Sequence, residues 1–408
     1  MIANSIRKAR TSVRTNRNLV IFEMMITASI LSVPFMTPFF RNEVGLTMEQ
    51  IGLVQAVYTI ISMLLNVPLG WVADKFSRKM ANVAGDLICA TTLLLYARAQ
   101  TIFDCILCET AFGVGSAFSL GVDSSLLQHF CKKEDPSGKS YDHYNGVSAS
   151  LCMVSTFFIT TLGAVVGNMD RRSIIAISSI TYFAGGIASI FIKDDSVRLQ
   201  KSDKKPHEEI RGIFNETIHD SKLNVRIAAF ILAREATHGI IWSFSAILLM
   251  VGIPENLISL GWAANALCGY IGSRIARKYD EYLPEWLKLS VPMAAILLGG
   301  ITLMIRMDIY TIGLYGVFGM AQGWARVTAL KPIKTHCADD RQTTVESIVR
   351  MLSQGFYIVA VWAINRAADT DLRFAILATL LIIIPPAIVT AIALRRQENI
   401  EKTENGLK

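Results

Sequence analysis

The stretch GWVADKFSRK, Gly70–Lys79, ends a long apolar run with a cluster of charges. GYIGSRIARK, Gly269–Lys278, repeats the pattern 199 residues later, close to half of the 408-residue chain. Lys and Arg gather at the cytoplasmic ends of membrane helices. A charged stop used twice at this spacing therefore marks a duplicated membrane unit.

Composition agrees. The chain is 52% hydrophobic and 18% charged, with a mean hydropathy of +0.41, against about 45–50% and about 25% for soluble globular proteins. Its apolar residues stand in long blocks with the charges crowded between them, so the net charge of +7 is a topology signal and not one for nucleic acid. Crossing a hydrocarbon core takes about 20 helical residues. Blocks near that length lie at 18–40, 49–72, 80–99, 102–124, 144–168, 173–192, 224–251, 256–273, 287–305, 308–330, 344–365 and 372–394. The alternating pattern of a barrel is absent, which leaves an all-α integral membrane protein of twelve transmembrane helices.

Segments 1–17, 75–79, 132–139, 193–226, 274–288, 331–341 and 395–408 hold 30 of the 40 Lys and Arg. The opposite side holds six: Arg41, Arg171, Arg172, Arg306, Arg366 and Arg373. Both termini are expected in the cytoplasm. The basic arm RKARTSVRTNR lacks a small-residue cleavage site and is read as leading into a retained first helix. The longest polar stretch, 193–223, is a cytoplasmic linker between six-helix bundles at 1–192 and 224–408, the second with a cytoplasmic tail. Of the seven cysteines, Cys105 and Cys108 form a CxxC on a membrane helix with no second pair, which reads as packing and not as a metal or redox site. His129 with Cys131, and His336 with Cys337, read as loop or helix-end residues.

GWVADKFSRK resembles the loop signature of the major facilitator superfamily, G-x-x-x-D-[RK]-x-G-R-[RK], with Gly70, Asp74, Lys75, Arg78 and Lys79 matching and Ser77 where the family usually has glycine. The preceding LNVPLG is similar to the family's E-[IV]-P-[TS]-G lead-in, with Asn66 in place of the acid. Residues 121–146 and 339–351 resemble the family's segments at the start of helices 5 and 11. The resemblance implies parallel six-helix repeats and transport by alternating access. It also implies that Asp74 faces the N-terminal amides of helix 11, where TTVE, Thr343–Glu346, is a capping-box pattern. In the second copy Ser273 takes the acid's place while Arg274, Arg277 and Lys278 remain, so this cytoplasmic latch is asymmetric.

Ionisable residues inside spans are costly and mark function. Here they are Glu23, Asp86, Glu109, Arg234, Glu235, His238, Arg326 and Arg350. A proton carrier needs a buried carboxylate or histidine, and the candidates are Glu235, Glu109, Glu23 and His238, with Glu235 first because it stands mid-helix beside Arg234. Glu109 precedes Gly113 by four residues, where the antiporters' R-x-x-x-G carries arginine. The sign is reversed, and the simpler reading is a helix–helix hydrogen bond. Asp86 and Arg350 are read as an ion pair near the cytoplasmic gate, and Asp104 and Asp123 as solvated span ends. TLGAVVGNM keeps only Gly163 and Gly167 of the antiporters' helix 5 pattern, a small-xxx-small packing motif.

The expected protein is a bacterial inner-membrane transporter. It would move a small amphipathic organic solute, by proton antiport and outward, through a cavity lined by Met24, Met25, Phe35, Trp242, Phe244, Tyr315 and Trp324. Uptake of a nutrient or anion is the alternative, with Arg234 and Arg326 as substrate ligands; so is a non-transporting receptor or assembly factor. No nucleotide loop, metal spacing or nucleophile constellation points to an enzyme. The expected partners are the substrate and the lipid bilayer, with no nucleic acid, no metal and no cofactor beyond the proton gradient, and the chain is expected to act as a monomer.

Two outcomes follow. Reporter fusions at residues 200 and 400 should both report cytoplasm, and a periplasmic signal from either breaks the twelve-span topology. Asp74→Asn removes a helix-terminus contact worth about 0.3–2 kcal/mol, so transport should fall at unchanged expression while Ser273→Asn has little effect. Equal loss from both would remove the asymmetry.

Overall fold

The computed structural model describes residues 2–119, 122–135, 139–193, 215, 217, 219–280, 282–308, 310–336 and 342–406. Every regular element among them is an α-helix. Lipid offers the backbone no hydrogen-bonding partner, and a helix satisfies its own groups. The chain forms two compact units. The first comprises Met1–Gly45, Val57–Lys201 and Glu255–Leu260; the second comprises Leu46–Ala56, Ser202–Pro254 and Gly261–Lys408. Each unit also takes in a short helix start from the other half of the sequence.

The first unit is built from α1 (Ile2–Thr27), α2 (Val33–Asn42), most of α3 (Met48–Lys75), α4 (Arg78–Tyr96), α5 (Ile102–Ser119), α6 (Val122–Glu134), α7 (Lys139–Val166) and α8 (Arg171–Phe191). The expected first span, 18–40, is not one helix. Thr27 and Ser29 donate their hydroxyls back to the carbonyls of Glu23 (2.9 Å) and Met25 (3.0 Å). Pro34 then opens α2. A proline lacks the donor needed to continue the ladder and disfavours helix in the residue before it. Ser77, the departure from the family glycine, has extended backbone and caps α4 by accepting the Met80 N–H at 3.2 Å. The substitution thus starts the next helix.

The second unit holds α9 (Ser221–Met250), α10 (Glu255–Tyr279, except its first turns), α11 (Glu285–Ile305), α12 (Thr311–Thr328), the short α13 (Lys331–His336), α14 (Gln342–Thr370) and α15 (Leu372–Gly406). Gly269, which opens the second copy of the repeated stretch, lies at a helix crossing: a Cβ placed on Gly323 of α12 would stand 1.9 Å from its carbonyl oxygen. Gly70 has open space around it, so the two copies differ in packing as well as charge.

Seven stretches among the described residues are long and apolar enough to cross a membrane: Met48–Asn66, Ile102–Glu134, His143–Val166, Arg171–Phe191, Glu285–Ile305, Ile348–Thr370 and Leu372–Thr403. Ile102–Glu134 joins α5 and α6. At the other expected spans, helices are present but polar residues dilute their apolarity. Examples are the basic arm on α1, Asp86 on α4, and Arg226, Arg234 and Glu235 on α9.

The expected tail at 395–408 continues α15 as helix through Gly406. Its acids are tied into the bundle. Arg226 is 1% exposed and donates to Glu285 at 2.8 Å and Glu401 at 3.5 Å, while Glu398 accepts the Glu285 N–H. Beside this network, burial works against a charged Asp280, but hydrogen-bonded ion pairs from Lys288 (2.8 Å) and Lys331 (2.6 Å) outweigh it and lower its pKa below the ordinary 3.8. A depressed carboxyl pKa stabilises the fold fully above the unfolded value and ceases to do so only as pH falls through the folded one. Changes near neutral pH therefore leave this clamp intact.

Removing one partner of a buried ion pair costs about 3–5 kcal/mol, whereas an exposed pair is worth about 0–1 kcal/mol. Glu285→Gln should therefore lower the thermal midpoint of the purified protein clearly, and Arg14→Gln, at the exposed Arg14–Glu134 pair, should barely move it. Equal shifts would mean that the Arg226 network does not stabilise the second unit.

Candidate functional site

In the second unit, Glu235 on α9 is 4% exposed. It accepts the Ser353 hydroxyl from α14 and pairs with the adjacent Arg234, whose Nε lies 3.1 Å away. Arg326 of α12 and Arg350 of α14 are near enough to act on Arg234 electrostatically. Arg350 is held by Glu346 one turn earlier, at 2.7 Å. Arg326 is exposed and makes no ion pair among the described residues. Three guanidiniums thus gather in one bundle, and Arg234 has a buried carboxylate beside it.

In the first unit, Glu109 on α5 is 6% exposed and accepts the Tyr96 hydroxyl from α4 at 2.9 Å. This is the helix–helix hydrogen bond that the simpler reading expected. Asp86 lies with other acids and not with a cation: Glu23 of α1 and Asp123 of α6 are its electrostatic neighbours. Asp123 is not a solvated span end, because it accepts the Asn82 side-chain amide of α4 at 2.5 Å. Asp104 does stand at a helix end, where it accepts the N–H groups of Gln100 and Thr101 ahead of α5.

Four of the aromatic residues expected to line a cavity, Phe35, Phe244, Tyr315 and Trp324, are buried packing surface. Phe35 is 1% exposed and packs with Leu31 and Ile174. Tyr315 is fully buried and stacks on Phe244 with ring centroids 3.8 Å apart, and the Trp324 indole donates to the Lys288 carbonyl at 3.0 Å. The sequence shows these side chains as apolar and aromatic but not which way each faces. The Trp242, His238, Asp74 and Thr343 side chains lie outside the described residues, and Lys75 is exposed at the end of α3.

A carboxylate facing the N-terminal amides of another helix is present among the described residues at a position that the sequence did not single out. Asp369, near the end of α14, accepts the N–H groups of Met48 (2.5 Å) and Glu49 (2.7 Å) at the start of α3. Arg366, one turn earlier, pairs with Glu49 at 2.8 Å. A negative charge at the positive end of a helix dipole is favourable. The only sequence signal was an acid followed by a helix break, in AADTD.

Comparison with known proteins agrees with the helical architecture. The family model described as "Major Facilitator Superfamily" matches residues 19–361. The inner membrane protein YqcE of Escherichia coli is 22% identical over 170 residues, 41% of this chain and 40% of its own length, so the match spans less than half of that relative. An uncharacterised MFS-type transporter of Methanocaldococcus jannaschii, MJ1560, is 21% identical over 311 residues, 74% of each chain. Among solved structures, a mutant of the nucleoside transporter NupG superposes with a TM-score of 0.76 at 11% identity, covering 94% of this chain and 99% of that one. A bacterial homologue of the human lysosomal transporter Spinster, inward-facing and unoccupied, gives a TM-score of 0.68 at 12% identity, over 95% and 97%. At these identities the structural likeness shows the fold alone. With the family model covering most of the chain, the protein belongs to the major facilitator superfamily and is a multi-pass membrane transporter.

Proposed function

We propose that this transporter moves a small anionic organic solute and is driven by protons. It would work in the inner membrane of a bacterium with both termini in the cytoplasm. The observation that carries the substrate class is the arginine cluster of the second unit. Arg234 stands next to the buried Glu235, and Arg326 has no paired acid among the described residues. A guanidinium offers a planar fork of donors that matches a carboxylate or phosphate, and it keeps its charge when partly desolvated. A solute anion reaching Arg326 and Arg234 would complete the charge balance that Glu235 begins.

This favours the anion alternative over an amphipathic drug, since Phe35, Phe244 and Tyr315 are occupied in packing. The positive-inside count supports the orientation, and the inner-membrane relative supports the location. The nucleoside transporter shares only the fold with this chain, so nucleosides enter as one class to test.

The test is a thermal-shift panel on the purified protein, using organic carboxylates, phosphorylated metabolites, neutral nucleosides and lipophilic cations. Stabilisation should come from one anionic class. Arg326→Gln should weaken it about tenfold to a hundredfold, the equivalent of one charge-assisted contact of about 1.5–3 kcal/mol. Stabilisation by lipophilic cations alone would contradict the anion reading and restore the drug reading.

A further inference from the structure

The first unit carries a group of polar side chains that the anion site does not use. Glu23 from α1 is fully buried, Asp86 from α4 is 1% exposed, and Asn82, one turn before Asp86, is also fully buried. Asp123 enters from the first turn of α6. Asn82 donates its amide to Asp123 at 2.5 Å, and Thr27 sits 3.4 Å from Glu23 Oε1. The Glu23 carboxyl lies within electrostatic reach of those of Asp123 and Asp86. Two ionised carboxylates cannot hydrogen-bond to each other, because neither has a hydrogen to donate. A buried pair of them is joined only when one carries a proton.

Three further atoms point the same way. Glu23 Oε2, Asp86 Oδ2 and Asn82 Oδ1 are buried with no hydrogen-bond partner. All three are acceptors, so what the site lacks is a donor. Cys89 of α4 and Tyr182 of α8 are the other titratable groups in electrostatic reach, and no basic side chain acts on the three acids among the described residues. From α8, Gly185 brings only backbone close to Asp86: a Cβ there would stand 3.0 Å from Oδ2 and 2.5 Å from the Thr27 methyl. Nor do the described acids form a group suited to a metal ion.

We propose that Glu23, Asp86 and Asp123 form one proton-binding site, with Asn82 and Thr27 as positioning residues, and that it supplies the proton coupling. Coupling rests on the transport reading above; the site itself does not. One proton bonds to a carboxylate oxygen and is shared between Glu23 and Asp123, while Asp86 presents a second acceptor to it. The site takes up a proton and releases the same proton, and no other bond changes. Glu109 and Glu235 suit the role less well, because their carboxylates already accept the hydroxyls of Tyr96 and Ser353 and Glu235 also pairs with Arg234.

The test is infrared difference spectroscopy of the purified full-length protein across a pH titration, reading the carbonyl stretch of protonated carboxyl groups. Exposed carboxyls are ionised at pH 7, since their pKa values lie near 4. The parent protein should nevertheless show a protonated-carboxyl band there. The double variant Glu23→Gln, Asp123→Asn should lose it, Glu109→Gln should keep it, and Asp86→Asn should keep it with a lower titration midpoint, one like charge having been removed. Absence of the band in the parent at pH 7, or its survival in the double variant, overturns the site; the parent titration needs no variant to fold. A band that sodium chloride suppresses and choline chloride does not would make this a sodium site and overturn proton binding. A band that behaves as expected, in a protein whose transport in vesicles is indifferent to the pH gradient, would keep the site and overturn the coupling.

Discussion

The cost of taking a charge out of water shapes this molecule more than any other single term. An ionised side chain in a low-dielectric bundle is penalised by several kcal/mol unless a partner or a proton compensates it. Each buried ionisable group here has met that demand differently. Arg226 has two glutamates and Glu235 has Arg234. Glu109 has a tyrosine hydroxyl. Glu23, Asp86 and Asp123 have chiefly one another and Asn82. The same constraint acts on the backbone, which explains why helices account for all regular structure among the described residues.

The two units resolve the constraint with opposite signs. The first gathers acids that lack a donor, and the second gathers guanidiniums around too few acids. In a carrier that combines a proton with an anion, each ligand would supply what its own bundle lacks. The duplication behind the two halves fixed the helices and their order but not the polar residues within them. Gly70 and Gly269 descend from one pattern, yet one lies in open space and the other in a tight crossing. Asp74 and Ser273 diverge in charge at the matching place.

Much of the fold was legible because hydrophobic blocks and basic loops are one-dimensional signals. Block length placed the expected spans, and helix stands at each of those blocks. The break between α1 and α2 was less visible, since it depends on Thr27 and Ser29 capturing their own helix's carbonyls just ahead of Pro34. The candidate site was legible as a set of residue types and not as a set of neighbours. Glu23, Asp86 and Asp123 are about 40 to 60 positions apart in sequence, and nothing local shows that α1, α4 and α6 bring them together. Asp123 was misread because its position at a helix start looks solvated. Phe35 and Tyr315 were misread because an aromatic side chain suits either a core or a cavity.

The central claim is that a proton and an anion are exchanged against or with each other through separate bundles. Linkage requires that if proton occupancy alters anion affinity, anion binding alters proton occupancy by the same factor. Calorimetric titration of the stabilising anion into the purified transporter, repeated in buffers of different ionisation enthalpy, counts the protons taken up or released per anion bound. The expected result at pH 7 is about one proton per anion in the parent protein and none in the Glu23→Gln, Asp123→Asn variant. A count of zero in the parent, or the same count in both proteins, would contradict it.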